Sequence, residues 1–207
     1  MSLAARQPKP FLWPLTLLAA VLSLAGCAHR PPASVEVVSS WSAQRALLLA
    51  QQQFQFTGRL AVASSDDGFS GGIDWQQRAA VSSLRLRGPL GTTAVQVEFD
   101  GQSLDLRLSD GSDLRGGAAT EALSQALGFD APLSSLSFWL RGCDDPTSPA
   151  ETTFDAQNRL ASLGQRGWQI SYDSYQRQGA LWLPRQLTLR RESVRVRLLI
   201  QAWTVPG

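Results

Sequence analysis

The sequence predicts a mainly β protein. A single antiparallel sheet of about ten strands curls into an open or partly closed barrel, with two or three short helices laid in its mouth. Three observations carry this. From Phe54 almost to the end of the chain, apolar residues recur at every second position, the period of a half-buried strand. Short turn signals such as Asp100-Gly101 and Asp110-Gly111 separate the runs. Only a few segments keep a helical period, and all are short. A sheet of that many strands twists and curls, and its apolar face is larger than such helices can cover. The interior then has two readings, an apolar cavity or a fully packed core, and the alternation alone does not choose between them.

The first 26 residues fall outside the fold. Arg6 and Lys9 precede an apolar run from Phe11 to Leu24, which ends in Leu24-Ala25-Gly26-Cys27. A basic stretch, an apolar stretch and small residues before a cut describe a secretory signal peptide. The run is too short to cross a bilayer comfortably. A cysteine after Leu-Ala-Gly resembles a bacterial lipobox. That resemblance implies diacylglycerol on the Cys27 thiol, cleavage before Cys27 and acylation of the new amino end. One acyl chain binds a membrane marginally and two or more hold firmly. Residues 27–38 are then the lipidated cysteine and a tether containing Pro31-Pro32, which reaches roughly 35 Å at ~3.1 Å per extended residue. Residues 39–207 form the domain.

Removing the signal removes two of the 19 basic residues and none of the 17 acids, so the mature chain carries 17 arginines, no lysine and a formal charge of zero. A neutral body excludes bulk nucleic-acid binding, which needs a basic face. The pairs Arg190-Arg191 and Arg195/Arg197 read as a solvated strand face. With Cys27 lipidated, Cys143 has no intramolecular partner. It reads as an inert thiol, half-buried beside a helix end.

Trp41 to Gln53 reads as a helix with Ser39 or Ser40 as its N-cap and Trp41, Arg45 and Leu48 on one face; its Trp and three leucines need burial. Strand alternation then runs through Phe54, Phe56, Gly58, Leu60 and Val62. Ser65-Asp66-Asp67-Gly68 turns the chain into Phe69, Gly71, Ile73 and Trp75. Leu84 to Arg87, the loop Gly88-Pro89-Leu90-Gly91, Val95 to Phe99 and Leu104 to Leu108 continue the meander. The polar face carries Arg85, Arg87, Glu98, Asp105 and Arg107, suited to cross-strand ion pairs. Thr120 to Leu127, closed by Gly128, reads as a second helix with Glu121 in its first turn. Leu133 to Arg141, closed by Gly142, reads as a third, with Leu133, Leu136 and Leu140 on one face. Cys143 to Glu151 is a loop, and strands return at 159–164, 168–172, 183–191 and 194–203.

Proton-handling groups are scarce. The one histidine, His29, lies in the tether, so neither a Ser-His-Asp site nor a histidine metal site fits inside the domain. The absence of lysine excludes Schiff-base chemistry. Asp66-Asp67 and Asp144-Asp145 sit in turns that favour Asp for geometry. Gly71-Gly72 and Gly116-Gly117 lack the strand-to-helix pattern of a phosphate loop. No catalytic residue, metal ligand or cofactor is expected; the chain reads as a binding protein. At Gly88-Pro89-Leu90-Gly91, Pro and two glycines fix a tight turn with a leucine at its tip. Left exposed, that leucine forgoes roughly 1.5–3 kcal/mol of burial, which would point to a bilayer or acyl partner. Folded back over the sheet edge, it would point to nothing.

The ordered stretches FTGRLAVAS, WQQ, SLRLRGPLGTT, LSFWLRG, WQISYDSY and LPRQLTL behind a lipobox resemble the LolB family, outer-membrane lipoprotein receptors of Gram-negative bacteria, from Cys27 to about Trp203. The resemblance implies an incomplete antiparallel barrel of eleven strands, with helices lidding a hydrophobic cavity. It implies a monomer anchored in the outer membrane and facing the periplasm. Such a protein accepts acylated lipoproteins from a LolA-like soluble carrier and inserts them into the inner leaflet, with no nucleotide consumed. It places the family's membrane-insertion loop at Gly88, Pro89, Leu90 and Gly91, with Leu90 as the protruding leucine. Ala28, rather than Asp, after the lipidated cysteine points to outer-membrane sorting. The alternation then nominates Phe56, Leu60, Trp75, Leu84, Leu86, Val97 and Phe99, with Trp139 and Trp168 nearby, to line the acyl cavity. Cys143 departs from the apolar residue usual in the family. The competing expectation is a lipid-anchored scaffold or assembly protein with a packed core and no acyl ligand.

Overall fold

The computed structural model describes residues 40–64, 68–88 and 93–206. Cys27, His29 and the tether, the acids Asp66 and Asp67, and Pro89, Leu90 and Gly91 lie outside the described residues. Eleven antiparallel strands form one sheet: β1 (Gln53–Ala63), β2 (Gly68–Arg78), β3 (Val81–Arg87), β4 (Thr93–Phe99), β5 (Leu104–Leu108), β6 (Asp113–Arg115), β7 (Glu151–Phe154), β8 (Leu160–Gln165), β9 (Trp168–Gln178), β10 (Leu181–Arg191) and β11 (Val194–Thr204). Their order across the sheet is β6-β5-β4-β3-β2-β1-β11-β10-β9-β8-β7. Two meanders, β1–β6 and β7–β11, therefore meet where the first strand pairs with the last. The sheet stays open, ending in β6 and β7. Edge strands this short offer little backbone for pairing with another chain.

The alternation predicted from Phe54 onward is the burial pattern of the sheet. On β1, Phe54, Phe56 and Val62 are buried between exposed Gln55, Thr57 and Arg59. On β11, Val194, Val196, Leu198 and Ile200 are buried between exposed Arg195, Arg197 and Leu199. The register slips between Thr57 and Gly58, where β1 meets β11. A Cβ at Gly58 would come within 2.4 Å of the Leu199 carbonyl oxygen, so only glycine lets the strands approach there. On the polar face the ion pairs form as expected in kind, but with other partners: Arg87 with Asp74 at 2.7 Å and Arg107 with Asp113 at 2.7 Å.

Among the described residues there are three helices: α1 (Trp41–Ala50), α2 (Gly116–Leu127) and α3 (Leu133–Trp139). Helix α1 stops three residues before the expected Gln53, which instead opens β1. Ser40 is its N-cap and accepts from the Ala43 amide. Leu48 is buried, Leu47 is exposed, and Trp41 packs at 5.5 Å on Phe154. Helix α2 begins at Gly116, four residues before the expected Thr120, so Glu121 lies beyond its first turn. Helix α3 ends at Trp139, with Gly142 at φ +79° completing the turn after it. The nine strand runs read from the sequence leave out the two shortest strands. β6 lies next to the glycines and β7 begins where the expected loop ends, at Glu151; both have too few residues for alternation to register.

Polar groups bind α1 to the body. Gln44 Nε2 donates to the Trp182 carbonyl at 3.1 Å. Arg45 forks onto Asp144 at 2.5 and 2.7 Å. Arg141, 5% exposed and without an acid partner among the described residues, donates from Nη1 to the carbonyls of Leu48 and Gln51 at the end of α1 and from Nε to Ser137 in α3. Its guanidinium also lies 5.1 Å from the Phe54 ring centroid and 5.2 Å from that of Phe138. Burial lowers its pKa from the ordinary arginine value. One buried cation thus satisfies helix-end carbonyls and ties two helices together.

The hydrogen-bonded Arg45 guanidinium holds the Asp144 carboxyl below the usual carboxylate range, against the opposing effect of burial. A depressed carboxylate stabilises the fold above its unfolded value of about 3.9 and stops doing so as pH falls through its lower folded value. Asp144→Asn is expected to cost about 1.5 kcal/mol at pH 7. In urea unfolding followed by circular dichroism, the gap from wild type should close below about pH 4. A gap that stays constant down to pH 2 would refute the assignment.

Candidate functional site

The inner face of the sheet is mainly apolar from β5 to β8, and the helices cover it unevenly. A main core of buried residues runs from β1 and β2 through β11, β10, β9 and β8, with α1 and the end of α3 packed on it. A second, smaller core joins α2, through Ala119 and Leu123, to Val97, Leu104 and Leu106 of β4 and β5. An apolar cavity of about 80 Å³ lies between the sheet and the α2–α3 pair. Its sheet wall is Leu60 and Val62 of β1, Ile73 and Trp75 of β2, Leu84 and Leu86 of β3, Trp168 of β9, Leu189 of β10, and Val196 and Leu198 of β11. Its roof is Leu123 and Leu127 of α2, Phe129 in the link, Leu133 and Leu136 of α3, and Leu140 at the end of that helix. All of these side chains are hydrocarbon or indole. The volume is well below the roughly 300–1,000 Å³ of pockets that enclose a drug-sized ligand.

Five nominated residues, Leu60, Trp75, Leu84, Leu86 and Trp168, come together on this wall. The other four face inward at different places. Phe56 stacks on Trp75 with ring centroids 6.2 Å apart and tilts against Trp203 at 5.0 Å. Val97 and Phe99 belong to the smaller core. Trp139 is fully buried, its Nε1 donating to Gln165 Oε1 at 2.7 Å. Alternation reports which face a side chain takes, not where the helices stand over it. The helical roof could have been found from the Leu133/Leu136/Leu140 face. Phe129 carried no periodic signal.

Among the described residues four tryptophans are almost completely buried, and their indole nitrogens fall into two groups. Trp139 Nε1 reaches Gln165, and Trp203 Nε1 reaches the Pro184 carbonyl at 2.9 Å. Trp75 and Trp168, each 2% exposed, line the cavity, and their Nε1 groups are buried with no hydrogen-bond partner. An unsatisfied buried donor costs about 1–3 kcal/mol. Arg191 lies over the Trp168 ring at 5.1 Å, and Phe129 meets it edge-on at 5.4 Å.

The β3–β4 loop leaves the sheet beside the cavity: Leu86 is cavity wall, and half-buried Gly88 follows two residues later. A larger hollow of about 690 Å³ is lined by outward-facing polar residues, with acids Asp74, Glu98, Asp105 and Asp113 and arginines Arg85, Arg107 and Arg115. Its charges largely cancel, which gives it little to recognise. Asp144 and Asp145 are structural: Asp145 accepts from Ser135 and Thr147 and pairs with Arg166 at 3.2 Å. Among the described residues no group of three or more His, Cys, Asp or Glu is placed to hold a metal ion, and no helix is long and apolar enough to cross a membrane.

Cys143 is fully buried, not half-buried as expected, because its segment packs under the end of α3 against the main core. Its Sγ points to the Phe138 carbonyl at 3.5 Å, and burial pushes the thiol pKa up to about 12.

The family model described as "Outer membrane lipoprotein LolB" matches residues 52–203. Proteins named outer-membrane lipoprotein LolB are similar over most of their length. One from Nitrosomonas europaea is 34% identical over 193 residues, covering 90% of each chain. One from Pseudomonas fluorescens is 30% identical over 203 residues, covering 93% of this chain and 96% of its own. Among solved structures, a LolA superfamily protein from Nitrosomonas europaea matches with a TM-score of 0.51 at 12% identity, over 79% of this chain and 94% of its own. A likeness that remote speaks for the fold alone.

A thiol with its pKa near 12 is protonated at pH 8 and does not react as a thiolate. In a Cys27→Ala form, Cys143 is expected to resist a disulfide-exchange chromophore for hours at pH 8 and to react fully on unfolding in urea. Rapid stoichiometric labelling of the folded protein would contradict the burial.

Proposed function

We propose that this chain, which belongs to the LolB family of outer-membrane lipoproteins, accepts acylated lipoproteins from a LolA-like carrier and releases them into the inner leaflet of the outer membrane without consuming nucleotide. The observation that carries the reading is the apolar cavity between the sheet and the α2–α3 pair. An acyl chain recognises apolar surface and little else, and this wall offers little else. At about 80 Å³ the cavity is small for an acyl chain. Loading requires the roof to lift, exposing Leu123, Leu127, Leu133 and Leu136 to the incoming chain.

Helix α2 can lift at least cost. It has no side-chain N-cap, and its side-chain hydrogen bonds are local: Thr120 to Gly116, Ser124 to Asp130 and Gln125 to Glu121. Helix α3 is held through Ser135 to Asp145 and through Arg141. Opening at α2 therefore trades protein–protein apolar contact for protein–acyl contact. Because the chain passes from one apolar pocket to another and then to a bilayer, no step needs a large driving force.

In this reading Cys27 carries the lipid that keeps the domain within reach of one leaflet, and Leu90 perturbs that leaflet so that cargo can leave. The β3–β4 loop that carries Leu90 follows cavity-lining Leu86 in the chain. Catalysis is disfavoured by the single His29 in the tether and the lack of lysine after Cys27. The competing reading is a lipid-anchored assembly module with a packed core, and the small cavity is the feature in its favour.

A soluble Cys27→Ala form is expected to take lipoprotein from the carrier, seen as a mass increment in native mass spectrometry, and to deliver it to membranes poorly. Failure to acquire any acylated cargo would retire the receptor reading and leave the assembly module. Leu90→Glu is expected to acquire cargo normally but to leave it in the supernatant when liposomes are sedimented. Normal insertion by that variant would remove Leu90 from the mechanism.

A further inference from the structure

We propose that the outward face of β1, β11 and β10, at the end of the sheet from which the β3–β4 loop leaves, docks on anionic phospholipid headgroups through Arg59, Arg190, Arg195 and Arg197. The contact turns that end of the domain toward the leaflet. The inference rests on the placement of Cys27 and Leu90 at a membrane, given above, and is independent of the acyl cavity.

Register brings the four arginines together. Arg190 and Arg195 face each other directly across β10 and β11, and Arg197 follows on the same face of β11. Arg59 is opposite Leu199, which makes it the diagonal neighbour of Arg197. Such neighbours have Cβ atoms about 5–8 Å apart. All four side chains are exposed. Ala61, Ala63, Gln186, Thr188 and Leu199, which share this face, bring no acid. Among the described residues no ion pair reaches the four, whereas six other arginines have carboxylate partners. On the flanking strands Asp74 holds Arg87 at 2.7 Å, and Asp173 accepts from Gln186 and Thr188, each at 3.4 Å. Glu192 stands in the β10–β11 turn; Asp66 and Asp67, in the β1–β2 turn, lie outside the described residues. Like charges directly opposite one another destabilise a sheet, and an anion from outside the domain would offset that.

Two features select a membrane as the anion. The first is place. The last residues of β1 and β3 and the first of β11 and β4 lie at one end of the sheet, so the arginines and the β3–β4 loop share that end. The second is the tether, which enters at the other end. Helix α1 begins at Trp41, packed on Phe154, and its Gln44 reaches the Trp182 carbonyl near the start of β10. Phe154 pairs with Leu160, the first residue of β8, at that same far end. An eleven-residue strand such as β1 spans about 36 Å, and the tether reaches roughly 35 Å. Lipid at Cys27 therefore holds the domain by its far end and does not by itself bring the β3–β4 loop to the bilayer. A second contact at the loop end does. Guanidinium groups bind phosphate through paired hydrogen bonds, and each one near an anionic membrane surface strengthens binding about fivefold.

The test uses the soluble mature protein with Cys27→Ala, sedimented with vesicles of phosphatidylethanolamine alone or with vesicles that also contain phosphatidylglycerol. The protein is expected to bind the mixed vesicles roughly tenfold more tightly, with the preference shrinking as salt is raised. Arg195→Gln and Arg197→Gln should each weaken binding to the mixed vesicles about fivefold, and the lysine replacements should weaken it less. Arg85→Gln, which removes an exposed charge from β3 outside the patch, should leave it unchanged. Because Arg195→Gln relieves a like-charge pair, its thermal midpoint should be no lower than that of the parent, so lost binding is not lost fold. A lipid-sensitive dye at Ser193→Cys, in the β10–β11 turn, should report lipid contact on mixed vesicles, and one at Gln102→Cys, in the β4–β5 turn at the opposite end, should not. Equal binding to both vesicle types overturns the docking face, as does parental binding by the double Arg195→Gln/Arg197→Gln variant. Unchanged vesicle binding with impaired uptake of lipoprotein from the carrier also overturns it and assigns the face to an acidic protein. Each of these results leaves the acyl cavity standing, because cargo acquisition is tested separately.

Discussion

The fold is governed by a mismatch of areas. Eleven strands present an apolar inner face, and helices of ten, twelve and seven residues are all that the described chain sets against it. Burial of apolar surface is the main favourable term in folding, so a sheet this wide curls and draws its helices inward. They still do not merge the interior into one core. Two cores form, one under β8–β11 with α1 and one under α2, and the cavity is the gap that remains at the α2–α3 roof. Close-packed interiors tolerate few such voids, and a gap lined by hydrocarbon stays dry.

The helices divide the labour by how they are held. Polar ties fix α1, through Gln44, the Arg45–Asp144 fork and the buried Arg141. The same arginine reaches Ser137 in α3. The Trp139–Gln165–Asp145 network, with Gln165 Nε2 donating to the carbonyls of Asp145 and Ser148, then locks the end of α3 to β8. The side-chain hydrogen bonds of α2 stay within the helix and its link to α3. Elements with few polar ties open at low free energy, so one edge of the roof is firm and the other free to move. A rigid frame with one compliant flap would suit the proposed loading, since a flexible chain could enter without unfolding the body.

Much of this was legible in the sequence because period two and period 3.6 are strong signals over long runs. The alternation placed Leu60, Trp75, Leu84 and Leu86 on the inner face, and the Leu133/Leu136/Leu140 spacing put three side chains on one helix face that proves to be the cavity roof. Short elements were illegible. β6 has three residues and β7 four, and Gly116-Gly117 masked the true start of α2. Depth was illegible too: Phe56 and Val97 alternate as cleanly as Leu60 yet pack elsewhere. The role of Arg141 could not be read, since an arginine in an apolar segment predicts a snorkelling side chain, and only the fold brings the Leu48 and Gln51 carbonyls to meet it. Its partners are ninety and more residues away in the chain.

The proposed transfer would place an energetic demand on such an interior. A pocket that bound acyl chains with the full hydrophobic gain over water would match a bilayer, since both remove the same apolar area from water. The chain then has nothing to gain or lose on leaving, and direction must come from small differences. Under the proposed function two such differences would act. Closing α2 over the cavity would restore helix–sheet contact and favour release. A lipid anchor at Cys27 would raise the effective concentration of one leaflet around the opened site without adding any contact. Each is small against the burial energy of an acyl chain, and for a carrier-to-membrane relay that is the requirement: a receptor that held its cargo by several more kcal/mol would keep it.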